Sequence, residues 1–155
     1  AGSAEKCDAC VKLGADRAIN YKTEDFVAET KAATGGAGAN VILDMVGGDY
    51  IERNYEAAAV DGRIVQIAFL GNARAQVDFR RIMLKRLTHT GSTLRSRSIP
   101  DKAAIAHAIR HEVLPLLQSG QLKPLIDSTY PLKDASKAHA RMESSQHIGK
   151  IVLTV

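Results

Sequence analysis

Two apolar runs, VILDMV (41–46) and IVQIAFL (64–70), lack the strict polar alternation of a half-solvated strand. Runs of that length and character suit strands buried on both faces, the usual state of strands in a parallel sheet. A helical stretch separates them, and other helical stretches precede and follow. Strands joined through helices require right-handed crossovers and a parallel sheet with helices on both faces. The expected class is therefore α/β. In such sheets ligands bind beyond the carboxyl ends of the strands. Those ends are readable at Gly2-Ser3, Tyr21, Val46-Gly47-Gly48 and Phe69-Leu70-Gly71.

Local signals place the remaining elements. SAEKCDACVKLG (3–14) reads as a helix with Ser3 as N-cap and Gly14 as stop. RAINY (17–21) reads as a short strand. TEDFVAETKAATGG (23–36) reads as a helix capped by Thr23 with acidic residues in its first turn. Residues 49–62 form a third helix closed by the Asp61-Gly62 pair, and 63–71 a strand. A short basic helix near 79–85 and a strand over LTHTGSTL (87–94) follow. Residues 98–120 make the longest helix, opened by Ser98 with Asp101 and bearing Ile105, Ile109, Val113 and Leu116 on one face. Pro115 is expected to kink or end it. The tail reads as strand (124–132), helix (133–145) and strand (149–155).

Composition narrows the function classes. Of 155 residues, 45% are apolar and 25% charged, as in ordinary globular proteins. No apolar run is long enough to span a membrane, and no charged-then-apolar leader opens the sequence. The net charge is +4, with basic clusters at 79–86 and 94–98. These read as solvated surfaces, or as a contact for an anionic partner such as a phosphorylated cofactor. No aromatic residues interleave with the arginines, which argues against nucleic acid. Cys7 and Cys10 form a C-x-x-C pair without a second pair, too few ligands for structural zinc; a core-packing role is expected. A small even cysteine count suits a reducing cytosol, so the expected location is cytoplasmic. His107 and His111 lie four apart on one helix but lack the glutamate of a zinc-protease motif. No metal site and no catalytic acid–base pair are expected.

The glycines ask for care. GGAGAN (35–40) ends a helix and precedes a strand, the wrong side for a phosphate loop, and position 41 is valine where a dinucleotide fingerprint needs glycine. It reads as a helix stop. Gly47-Gly48 does follow a strand and precede a helix. Close approach of a ligand and a bland tight turn explain that pair equally well. Asp44, in the same strand, reads either as a ligand contact or as a carboxylate satisfied by nearby backbone N–H groups. A doubly wound nucleotide domain opens with strand, glycine loop and helix, whereas this sequence opens where a second strand would end.

Taken in order, AGSAEKC, LGADRAINY, EDFVAETKAATGG, VILDMVGG, DGRIVQIAFLG, LTHTGSTLRSR and HIGKIVLTV resemble NAD(P)H:quinone oxidoreductases of the zeta-crystallin-like branch of the medium-chain dehydrogenase/reductase superfamily. The resemblance implies an incomplete Rossmann-like doubly wound parallel sheet over 1–123. It further implies that 124–155 is a strand-helix-strand segment that completes a GroES-like catalytic domain. In the family that domain, the first Rossmann strand and the phosphate loop precede the matched region.

The resemblance also implies a cofactor, NADPH, and its contacts. Gly2 and Ser3 match the turn after the second strand, where a neutral residue leaves room for a 2′-phosphate. Lys6 matches the lysine that pairs with that phosphate, and Tyr21 the tyrosine beside it. Val46, Gly47 and Gly48 match the turn at the ribose and pyrophosphate. Phe69, Leu70 and Gly71 match the loop bordering the nicotinamide, and Ser92, Thr93 and Leu94 the neighbouring strand end. Lys150 matches a lysine near the phosphates. The implied reaction is hydride transfer from NADPH to a quinone or conjugated carbonyl, in a homodimer joined through the 87–94 edge strand. The 155 residues alone are expected to be inactive. Two other readings stay open: a stand-alone nucleotide-binding or dimerisation module, and an enoyl-thioester reductase of the same superfamily. A methyltransferase is disfavoured by the missing acidic residue for ribose hydroxyls.

Overall fold

Ser3 acts as its position predicts. In the computed structural model, which describes residues 1–155, its Oγ accepts the backbone N–H of Lys6 at 3.3 Å and opens helix α1 (Ala4–Lys12). Gly14 follows at φ +105°, the conformation that ends helices most cheaply. α1 buries no residue. Cys7 is half-buried and Cys10 exposed, both as free thiols, so the expected core-packing role is not met.

The expected strand at 17–21 shrinks to one rung. The Ala1 amine donates to the Ile19 carbonyl at 2.7 Å, and the Tyr21 N–H donates to the Ala1 carbonyl at 3.0 Å. That is parallel-ladder geometry around Asn20. The next residues turn: the Asn20 carbonyl accepts the N–H of Thr23 at 3.0 Å and of Glu24 at 2.9 Å. Thr23 is therefore spent in the turn and does not cap. Helix α2 (Phe26–Ala33) starts later, capped by Asp25, whose Oδ1 accepts the Val27 N–H at 3.1 Å.

Three parallel strands follow in the order β1 (Ala39–Asp44), β2 (Ala58–Gln66) and β3 (Thr88–Gly91), connected through α3 (Tyr50–Ala57) and α4 (Arg80–Lys85). Tyr55, Ala58, Ile64 and Leu87 form the core, with Ile42, Ile51, Val77 and Ile82 packed around them. The expectation of burial on both faces fails in β1. Ile42 and Asp44 face the core, while Val41 and Leu43 are 66% and 61% exposed. The period-two geometry of a strand sends them to the opposite face.

Asp61-Gly62 does not close α3. It sits within β2, where the ladder jumps from Ala39↔Ala58 to Val41↔Arg63 and Asp61 adopts φ +60°. α3 is closed from outside its own sequence. The Nζ of Lys85 donates to the carbonyls of Tyr55, Glu56 and Ala58 at 3.0, 2.8 and 2.7 Å. Positive charge is favoured there by the helix dipole. The rest of the basic run is also engaged within the chain: Arg81 with Glu52, Arg80 with Asp78 and Arg86 with Asp61.

The chain divides into two compact units, Ala1–Ser96 and Arg97–Val155. This division reflects compactness; the 123/124 boundary expected from the resemblance concerns which domain a segment serves. In the second unit, Ser98 caps α5 (Ile99–Ala108), accepting the Asp101 N–H at 3.2 Å. A π turn (Ile109–Val113) and α6 (Leu114–Gln118) continue it. Pro115 has no N–H for the carbonyl four residues earlier, and the helix widens there. Ile109 and Leu116 remain exposed, so the apolar row is not buried within the unit. β4 (Ile126–Pro131), a 3₁₀ turn, α7 (Ala135–Glu143) and β5 (Lys150–Thr154) form the expected strand-helix-strand, with β4 and β5 parallel. Asp127 knits it together, accepting from Arg141 Nη2 and Nε at 2.9 and 3.1 Å and from the Ile148 N–H at 2.9 Å.

Candidate functional site

The carboxyl ends of β2 and β3 border an open cleft of about 450 Å³ lined by Gln66, Ile67, Ala68, Phe69, Gly91, Ser92 and Thr93. β2 stops at Gln66, and the chain beyond it runs beside the end of β1. Its N–H groups at Ile67, Leu70 and Gly71 donate to the carbonyls of Asp44, Met45 and Val46 at 2.8, 2.9 and 2.9 Å. This pairing holds the 67–71 loop at the sheet edge. Phe69 and Leu70 are left exposed on it. Across the cleft, the Ser92 N–H donates to the Gln66 carbonyl at 3.0 Å.

Gln66 is the residue that sequence reasoning missed. It follows Ile64 on the core side of β2 and is 8% exposed. Its Nε2 donates to the Ala68 carbonyl at 2.7 Å, which fixes the amide's orientation. Its Oε1 is buried without a hydrogen-bond partner. Native interiors rarely strand a polar atom in this way. The only available signal was a glutamine inside an otherwise apolar strand run.

A second cleft, about 370 Å³, adjoins the first through Gln66, Phe69 and Gly91 and adds Ile51, Ala73, His89 and Thr90. Behind it the Tyr55 hydroxyl and His89 Nδ1 lie 2.7 Å apart. Burial, with a smaller contribution from Glu52, raises the Tyr55 phenol above its ordinary value.

Gly47 and Gly48 are buried, at φ +71° and +57°. Asp44 Oδ1 accepts the N–H of Val46 at 2.6 Å and of Gly47 at 3.2 Å, and Asp44 Oδ2 accepts from Asn54 Nδ2 at 3.0 Å. The Gly48 N–H donates to the Asn72 carbonyl at 2.7 Å. A Cβ on Gly47 would lie 2.5 Å from the Phe69 ring and 2.6 Å from the Asn72 carbonyl oxygen. Within this chain the glycines admit the chain's own 69–72 loop, and Asp44 is a carboxylate satisfied by backbone and amide donors.

The other expected contacts fall elsewhere. Gly2 and Ser3 lie at the start of α1, with the Tyr21 hydroxyl 2.9 Å from where a Gly2 Cβ would stand. Lys6 is in the first turn of the same helix. Tyr21 also lines a cleft of about 410 Å³ with Ala1, Cys10, Arg17, Phe26 and Tyr50. Leu94 is exposed beyond β3. Lys150 opens β5 in the second unit, its N–H on the Leu125 carbonyl at 2.8 Å. The first unit thus gathers Phe69, Ser92 and Thr93 at one cleft and Gly2, Ser3, Lys6 and Tyr21 around one helix start.

A parallel β1-β2-β3 sheet with its clefts beyond the carboxyl ends defines the nucleotide-binding class of α/β unit. Residues 13–153 match the family described as zinc-binding dehydrogenase, and the chain belongs to that family. Quinone oxidoreductase-like protein 2 of Bos taurus is 28% identical over 158 residues, covering 100% of this chain and 44% of the relative. The structure of Escherichia coli quinone oxidoreductase complexed with NADPH is 30% identical with a TM-score of 0.80, over 99% of this chain and 48% of that one. An NAD-dependent alcohol dehydrogenase structure is 31% identical with a TM-score of 0.81, over 100% of this chain and 42% of that one. The chain spans under half the length of these proteins. It corresponds to the nucleotide-binding half of medium-chain dehydrogenase/reductase structures. The family's description mentions zinc, but the residues present do not fit it: no group of three or more His, Cys, Asp or Glu side chains converges in the chain. No helix is long and apolar enough to cross a membrane.

Proposed function

We propose that this chain is the cofactor-binding part of an NADPH-dependent oxidoreductase acting on a quinone or another conjugated carbonyl. The carrying observation is the cleft at the β2 and β3 carboxyl ends, which gathers Phe69, Ser92 and Thr93 beside Gln66 and Gly91. The nicotinamide supplies the hydride chemistry when bound. The residues of this chain bind and orient it. The 67–71 loop gives one wall, Phe69 an apolar face that excludes water, and Ser92 and Thr93 polar groups opposite. On the same reading, Gly2, Ser3, Lys6 and Tyr21 take the phosphorylated adenosine end, Val46, Gly47 and Gly48 back the sheet edge, and Leu94 lies at its margin. A neutral Ser3 and a cationic Lys6 favour NADPH over NADH.

β3 is the last strand of its sheet and its residues are exposed. An unpaired edge is a template for pairing with a second copy, and a homodimer through 87–94 completes the proposal. As part of this proposal, the chain by itself does not turn over quinone; it spans under half the length of its relatives.

Titration of the purified chain with NADPH and NADH, followed by nicotinamide fluorescence, tests the reading. Saturable binding with NADPH tighter supports it. Absence of saturable binding of either cofactor contradicts it.

A further inference from the structure

We propose that His107 and His111 form a surface site for a divalent transition-metal ion that takes nitrogen ligands at right angles, Ni²⁺ or Cu²⁺. The site is independent of the cofactor cleft and is not the zinc centre that the family's description mentions. The missing glutamate excludes a zinc-protease motif but not a two-nitrogen site.

The pair lies in the second unit, where α5 passes into the π turn. His107 is in the last turn of α5 and His111 is in the π turn. Residues four apart on a helix are neighbours on one face. Both histidines are exposed. Ile105 and Ile109 belong to the apolar row, and each histidine follows one of them by two residues. Two residues turn a helix by about 200°, so the histidines occupy the face away from that row. Their helical neighbours Ala103, Ala104 and Ala108 are small and leave the rings open to an incoming ion. Arg110 and Glu112 flank His111 with opposite charges.

The ring geometry selects the ion. The two ring centroids lie 4.3 Å apart with their planes tilted by 38°. A metal–nitrogen bond of about 2.0–2.1 Å places the centroid of a coordinated imidazole about 3.2 Å from the ion. Two such rings have centroids about 4.5 Å apart when bound at a right angle, and about 5.2 Å apart at the tetrahedral angle. The observed separation matches the right-angle value. Octahedral and square-planar ions offer that angle, and imidazole nitrogen suits Ni²⁺ and Cu²⁺. Mg²⁺ and Ca²⁺ require oxygen ligands and gain nothing from this pair. No third His, Cys, Asp or Glu joins the two rings. The remaining coordination positions therefore go to water, and the bound ion is exchangeable.

A bound ion also ties the helix together. The backbone ladder changes register here: the Leu114 N–H donates to the Ile109 carbonyl, five residues back, and Pro115 has no N–H to give. A bridge from His107 to His111 spans this junction and clamps α5 to the π turn from outside.

The test uses Ni²⁺ as the probe on the full 155-residue chain. Calorimetry gives the dissociation constant, and paramagnetic broadening of ¹⁵N-labelled backbone signals gives the place. Saturable binding with broadening centred on 107–111 is expected. His107→Ala and His111→Ala are each expected to weaken that binding about tenfold or more. Alanine is a strong helix former, so both variants keep the fold. His139→Ala removes a solitary exposed histidine of α7 and is expected to leave the affinity of this site unchanged. Ni²⁺ is expected to slow amide exchange across 107–114 in the parent and not in the two variants.

An affinity unchanged in either variant would mean a single-histidine contact and would overturn the paired site. Broadening centred on the free thiols of Cys7 and Cys10, with none at 107–111, would overturn it as well. So would the absence of saturable binding at millimolar Ni²⁺. None of these outcomes touches the reading of the cofactor cleft.

Discussion

Asp44 Oδ1 accepts the backbone N–H of Gly47 at 3.2 Å, and through this contact the end of β1 is folded back onto its own carboxylate. The same side chain takes the Val46 N–H and the Asn54 amide. Asp44→Ala strands three donors at a position only 4% exposed, at about 1–3 kcal/mol for each that water cannot reach. Asp44→Asn keeps the Oδ1 acceptor, and a flipped Asn54 amide restores the third bond. The expected result in urea unfolding is a large drop in midpoint for the alanine variant and a small one for asparagine.

Gly47→Ala is costly for two reasons that add. At φ +71° a Cβ costs about 1–3 kcal/mol, and here it also collides with Phe69 and the Asn72 carbonyl. Gly48→Ala has the first cost only, since its nearest contact is 3.4 Å away. Paired unfolding curves should rank the variants in that order.

These contacts show what the sequence could and could not reveal. Caps that span four consecutive residues, Ser3 to Lys6 and Ser98 to Asp101, were legible because their partners are local. Thr23 misled because a turn through Asn20 and Glu24 claims it first. Asp61-Gly62 looked like a helix stop, yet the true stop is Lys85, more than twenty residues further along and invisible to any local pattern. Val41 and Leu43 read as buried on hydrophobicity alone, which says nothing of whether a layer covers their face. The bland reading of Asp44 was available from its neighbours, whereas the idle oxygen of Gln66 depends on where the Ala68 carbonyl lands in space.

Lys85→Met removes the cation that closes α3. Three carbonyls lose a charged donor, and the Ala58 backbone is buried, so a loss of about 2 kcal/mol is expected. Hydrogen exchange should show the last turn of α3 opening first. Unchanged protection there would mean that α3 is held by packing alone.

Acid should weaken the second unit through Asp127. Arg141 first, and then the Ile148 N–H, hold its carboxyl well below the ordinary aspartate range. A carboxylate with a depressed folded value stabilises the fold above its unfolded value and loses that effect as pH falls through the folded one. Asp78, held at about 2 by Arg80, has the same sign, but its partner is 80% exposed and the pair is easily screened. Asp127→Asn is therefore expected to flatten the acid limb of stability more than Asp78→Asn does, and raised salt should erase only the Asp78 effect.

Lys6→Ala is expected to weaken NADPH more than NADH, because only the former carries the 2′-phosphate. Equal loss for both would remove the phosphate role from Lys6 and leave the cleft untouched.

The most direct measurement is an ¹⁵N chemical-shift titration of the 155-residue chain with NADPH. The expected result is saturable shifts concentrated at Phe69, Ser92 and Thr93 and at Ser3, Lys6 and Tyr21, with little change at α5. Shifts that are absent, or that cluster away from both groups, would contradict the central claim that the carboxyl edge of this sheet is a nicotinamide-cofactor site.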